Sequence, residues 1–225
     1  MSTAPKSNIE GGSQTLGRGL QALTLIGEAR SPLSVADLAA QLGIHRSMAY
    51  RLVKTFEQYG FVERTASGEL ELGARLGALA RNVAQSLQSA AAPHLAALSD
   101  ELLMTSLLVV FDGEEAVTLS TAEPRAADAT VAQRPGTRHP IDNGAPGRVI
   151  RSQLHPQDFP AKDFESSHDE VIPGLTSIAV PLALPQGKPA AIAVIYPPRE
   201  VDEAKVASAL HEASAKISTA LGVRS

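Results

Sequence analysis

The sequence contains no cysteine, no long apolar run and no overall excess of positive charge. Without cysteine the chain forms no disulfide, no thiolate metal site and no cysteine nucleophile. No stretch approaches the roughly twenty apolar residues that span a bilayer, and the first fourteen residues, MSTAPKSNIEGGSQ, lack the apolar segment of a secretion signal. We therefore expect a cytoplasmic protein with no membrane partner, in which residues 1–14 are a disordered tail.

Positive charge in this chain is local, because the formal net charge is −4 at pH 7. Residues 1–80 hold eight Lys and Arg against seven Asp and Glu, whereas residues 81–225 hold twelve against seventeen. Such a distribution argues against a non-specific polycation that binds any nucleic acid. The length of 225 residues exceeds the usual size of one domain, about 100 to 150 residues, and predicts two domains.

The segment VADLAAQLGIHRSMAYRLVK, residues 35–54, predicts two helices joined by a sharp turn. Ala39 is small enough for the helices to cross closely, and Gly43 tolerates the positive φ of a tight turn. Ser34 and Asp37, three residues apart, form a capping box at the start of the first helix. These features together are typical of a helix-turn-helix, whose second helix enters the major groove of DNA.

The second helix carries a set of polar residues that we predict to face DNA. Three basic residues on a helix are, taken alone, more often a solvated surface. Combined with the alanine, glycine and apolar spacing, they favour contact with phosphates and bases. We expect base or near-base contacts from Arg46, Ser47 and Tyr50, and phosphate contacts from Arg51, Lys54, Arg18 and Arg64.

Flanking patterns extend this unit to residues 15–73. Leucines and an isoleucine recur every three or four residues from Leu16 to Ile26, which predicts an amphipathic helix over 15–29. Downstream, Phe61 and Val62 begin a strand, and Ser67-Gly68 marks a turn before the alternating residues of a second strand. The complete unit is predicted to be a winged helix-turn-helix domain.

A linker helix is predicted over residues 74–90. Its apolar positions, Leu76, Leu79, Val83 and Leu87, recur at spacings of three, four and four. In an isolated linker this stripe would be exposed, so we expect it to pack against a second subunit. The alternative is that the stripe packs on its own domain.

The sequence resembles the IclR family of bacterial transcriptional regulators over nearly its whole length. The similarity is most specific in SQTLGRGLQALTLIGEARSPLSVADLAAQLGIHRSMAYRLVKTFEQYGFVER and in ELGARLGALA. Later, RPGTRHPIDNGAPGRVI, GLTSIAVPL and AAIAVIYPP resemble segments of the effector domain of that family. The resemblance implies a homodimer or tetramer, an operator of double-stranded DNA, and a GAF-like domain that binds a small organic effector.

Residues 91–225 are predicted to form that second domain. Apolar strands flank Asp112-Gly113 and Pro185-Gln186, a further strand covers 129–133, and helices follow Pro93 and span 201–221. Strands with helices at both ends indicate an α+β fold with an antiparallel sheet.

The effector site is predicted near the small residues that precede the helix at Pro146. Arginines close to this segment would suit an anionic effector such as a small organic acid, although surface solvation explains them equally. An alternative is that the segment is only a turn before the helix. The predicted effector-binding residues are Asp142, Asn143, Gly144, Ala145 and Arg134.

The chain departs from the family between the helix near Gly147 and the strand near Thr176. About 25 residues rich in Pro, Asp and His stand where the family has an additional helical stretch. A second hypothesis is therefore a ligand-independent regulator or dimerisation module whose shortened sensor binds no effector. No catalytic scaffold or His pair at metal-ligand spacing is evident, so we expect no enzymatic activity, no catalytic residue, no metal and no cofactor.

Overall fold

The computed structural model describes residues 12–29, 31–80, 83–126 and 131–223, and these fall into two compact units, Met1–Val83 and Ala84–Ser225. The described part of the first unit contains four helices and a two-stranded antiparallel hairpin. None of the described helices has the length and apolarity required to cross a membrane. The elements of the first unit are α1 (Gln14–Glu28), α2 (Val35–Leu42), α3 (Arg46–Tyr59), β1 (Val62–Arg64), β2 (Leu70–Leu72) and α4 (Ala74–Ala80).

Local sequence signals set the ends of α2. The Ser34 hydroxyl accepts a hydrogen bond from the Asp37 backbone N–H, and the Asp37 carboxylate accepts one from the Ser34 backbone N–H. Side-chain and backbone hydrogen bonds from Ser34 lower the pKa of the Asp37 carboxyl. At the other end Gly43 adopts φ 62°, so the predicted capping box and turn are both confirmed.

Removing the Ser34 hydroxyl tests how much the capping box stabilises the first unit. The Ser34→Ala variant should lower the free energy of unfolding by about 1 kcal/mol, because one amide at the start of α2 loses its acceptor. Urea denaturation followed by circular dichroism measures this change. Ser34→Asn, which keeps an acceptor at the same position, should stay close to the parent chain, and equal losses in both variants would contradict the capping role.

The described residues of the second unit form a six-stranded antiparallel sheet with helices on both faces. This confirms the predicted α+β class. A short 3₁₀ helix, Pro185–Gly187, connects two of its strands. The elements are α5 (Gln85–Leu102), β3 (Thr105–Phe111), β4 (Ala116–Ala122), β5 (Arg138–His139), α6 (Gly144–Leu154), β6 (Glu165–His168), β7 (Thr176–Pro181), β8 (Ala190–Tyr196) and α7 (Glu203–Ala220). The strand order across the sheet is β5-β4-β3-β8-β7-β6.

The sheet has two apolar faces because alternate residues of each strand point to opposite sides. On β8, Ile192 and Val194 belong to the core beneath α5 and α7, whereas Ala191 and Ala193 belong to the core beneath α6. All seven residues of β8 are buried. This explains the uninterrupted apolar sequence AAIAVIY, since a strand covered on both faces needs no polar alternation.

Three predictions about residues 74–102 differ from the structure. The linker helix predicted over 74–90 is divided, because α4 ends at Ala80 and α5 begins at Gln85 after Ala84 with φ 45°. Its apolar stripe is divided as well, since Leu79 and Val83 are exposed while Leu87 belongs to the core of the second unit. A helix predicted to begin at Pro93 instead passes through that proline as part of α5.

The predicted tail and one predicted strand also need correction. Ser13 caps α1 and Gln14 begins it, so the chain is already ordered before residue 14, while residues 1–11 lie outside the described residues. Residues 131–133 are not in a strand, although the Thr105 hydroxyl donates a hydrogen bond to the Val131 carbonyl. The other part of that predicted strand, 129–130, is outside the described residues.

Candidate DNA interface and effector cavity

The residues that precede and begin α3 fix the start of the candidate recognition helix. His45 is the N-cap residue, and its Nδ1 atom accepts a hydrogen bond from the Ser47 backbone N–H at 3.3 Å. The Ser47 hydroxyl lies 2.9 Å from the same nitrogen. The His45 ring therefore contacts both the backbone N–H and the hydroxyl of Ser47 in the first turn of α3. Sequence reasoning did not single out His45, because histidine is not among the preferred N-cap residues.

All five predicted DNA-contacting residues of α3 are exposed. At about 100° of rotation per residue they fall within an arc of roughly 140°, and they extend over about 12 Å of helix. A major groove about 12 Å wide accepts a helix that presents such a surface. This surface, the recognition arc, consists of Arg46, Ser47, Tyr50, Arg51 and Lys54.

Buried residues of α3 outside the recognition arc hold the helix against its own unit. Ala49 and Val53 are completely buried, and they share a core with Leu38 and Ala39 of α2. The predicted close crossing at Ala39 agrees with this packing. Leu52, which was expected to be the second inward residue of α3, is only half-buried, and Val53 takes that position.

The two predicted phosphate contacts outside α3 differ in their surroundings. Arg18 on α1 is half-buried, and its Nη1 atom lies 3.5 Å from the sulfur of Met48, so it is adjacent to the recognition arc. Arg64 on β1 forms an ion pair with Glu57 at 2.7 Å and donates to the Gly68 carbonyl at 2.9 Å. Arg64 therefore ties the wing to α3 and neutralises the first acidic residue that follows the basic ones.

The second unit contains a cavity of about 30 Å³ between the sheet and the N-terminus of α6. Of the predicted effector residues, only Gly144 lines it. Asp142 forms an ion pair with Arg151 at 2.9 Å, and Asn143 and Arg134 are exposed. The cavity is lined by Leu107, Gln133, His139, Gly144, Pro146, Ser167, Glu170, Val171, Ile172, Leu175, Thr176, Ser177 and Ile195.

Charged groups cluster where β6 passes α6. Arg148 forms ion pairs with Glu165 at 3.0 Å and with Glu170, and it also donates to the Ser166 carbonyl. Burial alone would raise the pKa of the Glu170 carboxyl, but hydrogen bonds from Arg148 and from the Gly144 N–H outweigh burial and lower it. Burial likewise opposes the charge of Arg148, yet the two glutamates raise the pKa of its guanidinium. Arg148 and Glu170 are therefore both charged at neutral pH.

Sequence reasoning missed most of the residues that line the cavity. Ser167 and Glu170 lie in the 25-residue segment that was expected only to be shortened, and its sequence ESSH gave no apolar alternation to predict β6. Gln133 is the neighbour of the predicted Arg134 but was not itself predicted, and Ser177 lies in β7, beyond α6 and β6. Within residues 12–29, 31–80, 83–126 and 131–223, no group of three His, Asp or Glu residues is arranged to hold a metal ion.

The hairpin wing, the capped helix pair and the exposed recognition arc define a winged helix-turn-helix protein with an additional α+β unit. Residues 15–66 match the model of the IclR helix-turn-helix domain. The HTH-type transcriptional regulator XynR of Escherichia coli K12 is 29% identical over 144 residues, which cover 63% of this chain and 57% of XynR. Residues 15–66 are thus identified as an IclR-type helix-turn-helix domain, and a larger part of the chain is similar to IclR-type transcriptional regulators. The chain spans less than two thirds of the length of the curated relatives it matches first.

Solved structures of IclR-type proteins share this fold. An IclR-type regulator from Alicyclobacillus acidocaldarius superposes with a TM-score of 0.80 at 20% identity, covering 94% of this chain and 100% of that chain. An IclR homolog from Microbacterium hydrocarbonoxydans, solved in complex with 4-hydroxybenzoate, gives a TM-score of 0.74 at 21% identity, covering 93% of this chain and 100% of that one. At this level of identity the likeness establishes the fold.

Proposed function

We propose that this protein is a sequence-specific, DNA-binding transcriptional regulator that responds to a small organic effector. The observation that carries this proposal is the recognition arc, a basic and exposed surface on the second helix of the helix-turn-helix motif in an IclR-type domain. Because the arc is attached to a buried face that fixes its direction, it presents a defined set of side chains rather than a diffuse charge. The proposed role is non-enzymatic and cytoplasmic.

Within the arc we assign base contacts to Arg46, Ser47 and Tyr50, which lie at the N-terminal end of α3. Arg51 and Lys54 are assigned to phosphates, and Arg18 joins them because its guanidinium lies beside Met48 of α3. Arg64 is also assigned to phosphate. It would use the guanidinium N–H groups that do not take part in its ion pair with Glu57.

A homodimer, or a tetramer built from dimers, is part of the proposal. Leu16 and Leu20, one helical turn apart on α1, are 63% and 57% exposed, and Leu79 on α4 is 53% exposed. Burying such side chains against a second copy would remove apolar surface from water. Two copies would also present two recognition helices to two half-sites, which raises affinity through effective concentration.

The second unit is proposed to bind the effector in the cavity beside α6. An organic acid is the class we favour, because the N-terminus of a helix and Arg148 both attract anions. The related protein from Microbacterium hydrocarbonoxydans was solved with 4-hydroxybenzoate, which is an acid of this kind.

A second candidate function is a regulator that binds DNA without an effector. The small size of the cavity favours it, since about 30 Å³ holds roughly two water molecules and no organic acid. Thermal denaturation of the full chain with a panel of aromatic and short aliphatic acids distinguishes the two. An effector at about a hundred times its dissociation constant should stabilise the protein by roughly 2.7 kcal/mol, and no shift across the panel would support the second candidate.

Selection of genomic DNA tests the proposed DNA-binding function. The full chain is immobilised, incubated with sheared DNA from its source genome at low ionic strength, and the retained fragments are sequenced. We expect a small set of fragments that share two related half-sites, since a dimer reads two copies of one sequence. Uniform recovery of all fragments, or retention of none, would contradict the proposal.

A further inference from the structure

The N-terminus of α6 is already bound by side chains of the same chain. The Gly144 N–H donates to Glu170 Oε2 at 2.8 Å, and the Ala145 N–H donates to Ser167 Oγ at 3.0 Å. Arg148 donates to the same oxygen of Glu170. The free N–H groups of a helix start and a nearby guanidinium bind carboxylates and phosphates. In this structure the chain itself supplies the carboxylate.

The loop that follows Glu170 covers one side of the cavity. Val171 lies so near α6 that a Cβ atom on Gly144 would be 2.7 Å from its Cγ2 atom. Val171, Ile172 and Leu175 all line the cavity. The loop is held in this shape by its own hydrogen bonds, from the Gly174 N–H to Asp169 Oδ1 and from the Leu175 N–H to the Ile172 carbonyl. Glu170 and Val171 therefore fill space that a larger cavity would include.

Two buried polar groups at this cavity have no hydrogen-bond partner. Gln133 Oε1 and Ser177 Oγ are unpaired, and each residue is only 8% exposed. The other end of the Gln133 amide donates to Thr118 Oγ1 at 3.1 Å, which fixes the plane of the side chain. A buried polar atom without a partner costs about 1–3 kcal/mol, so a ligand that pairs with it gains affinity. A hydroxyl group suits both atoms because it donates and accepts.

We propose that Glu170 stands in for the carboxylate of a small hydroxy acid, which binds by displacing Glu170 from Gly144 and Arg148. The apolar body of the acid lies against Leu107 and Ile195, and its hydroxyl group pairs with Gln133 or Ser177. This inference rests on the proposed function, in which the second unit binds an effector.

Replacing the Glu170 carboxylate by the carboxylate of the acid leaves the net charge around Arg148 unchanged. Arg148 keeps its ion pair with Glu165 and replaces one carboxylate by another. Glu170 is already 35% exposed at its side chain, so its carboxylate reaches water when the loop opens. The described structure is accordingly a self-ligated form, and the apparent affinity for the acid is the intrinsic affinity multiplied by the fraction of time that Glu170 leaves the site free.

Rescue by acetate tests the carboxylate position without knowledge of the effector. Glu170→Ala leaves a vacancy of carboxylate size beside Gly144 and Arg148. Sodium acetate at ten times its dissociation constant should raise the Tm of the Glu170→Ala chain by about 2–8 °C over sodium chloride at equal ionic strength. The parent chain should not respond, because its own carboxylate fills the position.

Glu115→Ala is the matched control, since it removes a carboxylate from the ion pair with Arg138 and leaves α6 intact. If Glu170→Ala does not fold alone, its refolding yield with and without acetate gives the same comparison. Absence of rescue, or equal rescue of Glu115→Ala, would overturn the inference.

Calorimetry with paired probes tests the ligand class. Lactate is compared with propionate, and 4-hydroxybenzoate with benzoate, on the parent chain, on Glu170→Ala and on Glu170→Ala combined with Ser177→Ala. We expect acids to bind Glu170→Ala at least about tenfold more tightly than the parent chain. In at least one pair the hydroxy acid should be preferred, and Ser177→Ala should reduce that preference.

The outcomes separate this inference from the proposed function. A neutral effector that binds the parent chain and Glu170→Ala equally would overturn the inference and leave the effector function standing. Acetate rescue together with tighter acid binding, but with no acid altering DNA affinity, would support the inference and contradict the effector function. Acid binding without any hydroxyl preference would overturn the assignment to hydroxy acids.

Discussion

Replacing Arg46 with alanine is expected to lower affinity for the operator by roughly 5- to 150-fold for each recognition helix. A side chain that reads a base edge contributes about 1–3 kcal/mol of discrimination, and Arg46 occupies the first position of α3, where base contacts concentrate. Binding to unrelated DNA should change much less. Fluorescence anisotropy with the selected operator and with a scrambled duplex measures both affinities.

Arg51→Ala is the matched comparison, because it removes the same charge from the same helix at a position assigned to phosphate. Its affinity should fall for all sequences, and the slope of log Kobs against log salt should decrease by about 0.9 for each helix bound. Lys188→Ala, in an exposed turn of the second unit, should leave both measurements unchanged. If Arg46→Ala weakened all duplexes equally, Arg46 would be a phosphate contact instead.

The second large effect is expected from Leu38→Ala, which should unfold the DNA-binding unit. Leu38 is completely buried between α2 and α3, and truncating such a leucine costs about 2–5 kcal/mol. A unit of this size has a total stability of about the same magnitude. DNA binding should be lost, while the second unit keeps its own thermal transition because Leu38 belongs to a separate core. Differential scanning calorimetry resolves the two transitions.

Gln41→Ala on the same helix is the control, since Gln41 is exposed and its replacement should change stability by no more than about 0.5 kcal/mol. A Leu38→Ala chain with the parent transition and parent DNA affinity would contradict the assignment of Leu38 to the core that supports α3.

Most of the first unit could be predicted from sequence because its signals are local. Ser34 and Asp37 lie within one turn of helix and form the predicted capping hydrogen bonds with each other. Gly43 adopts the positive φ that was predicted for it. On α3 the side chains predicted to face outward are all exposed, although the second buried residue is Val53 rather than the expected Leu52. The boundary at residues 80–85 escaped prediction, because the apolar spacing continues through it and gives no sign that Leu87 is buried in a different core from that of α1 to α3.

The cavity could be predicted only in part. Small residues before α6 indicated Gly144, but its partner Glu170 lies 26 residues away in a segment without periodicity. Gln133 and Ser177 gave no signal either, since a polar residue near a strand is ordinarily exposed. They are buried because α6 and the loop at 169–175 cover this side of the sheet.

The sequence by itself determined the helix-turn-helix, its wing and the exposed basic side of α3, because caps, turns and helical periodicity act between residues a few positions apart. Only the tertiary structure decided that the N-terminus of α6 is occupied by Glu170 and that Gln133 and Ser177 lie unpaired at the same cavity. These contacts involve residues in or near β6, β7 and the turn before β5. Because the segments are far apart in the sequence and meet only in the folded sheet, local sequence patterns do not reveal the contacts.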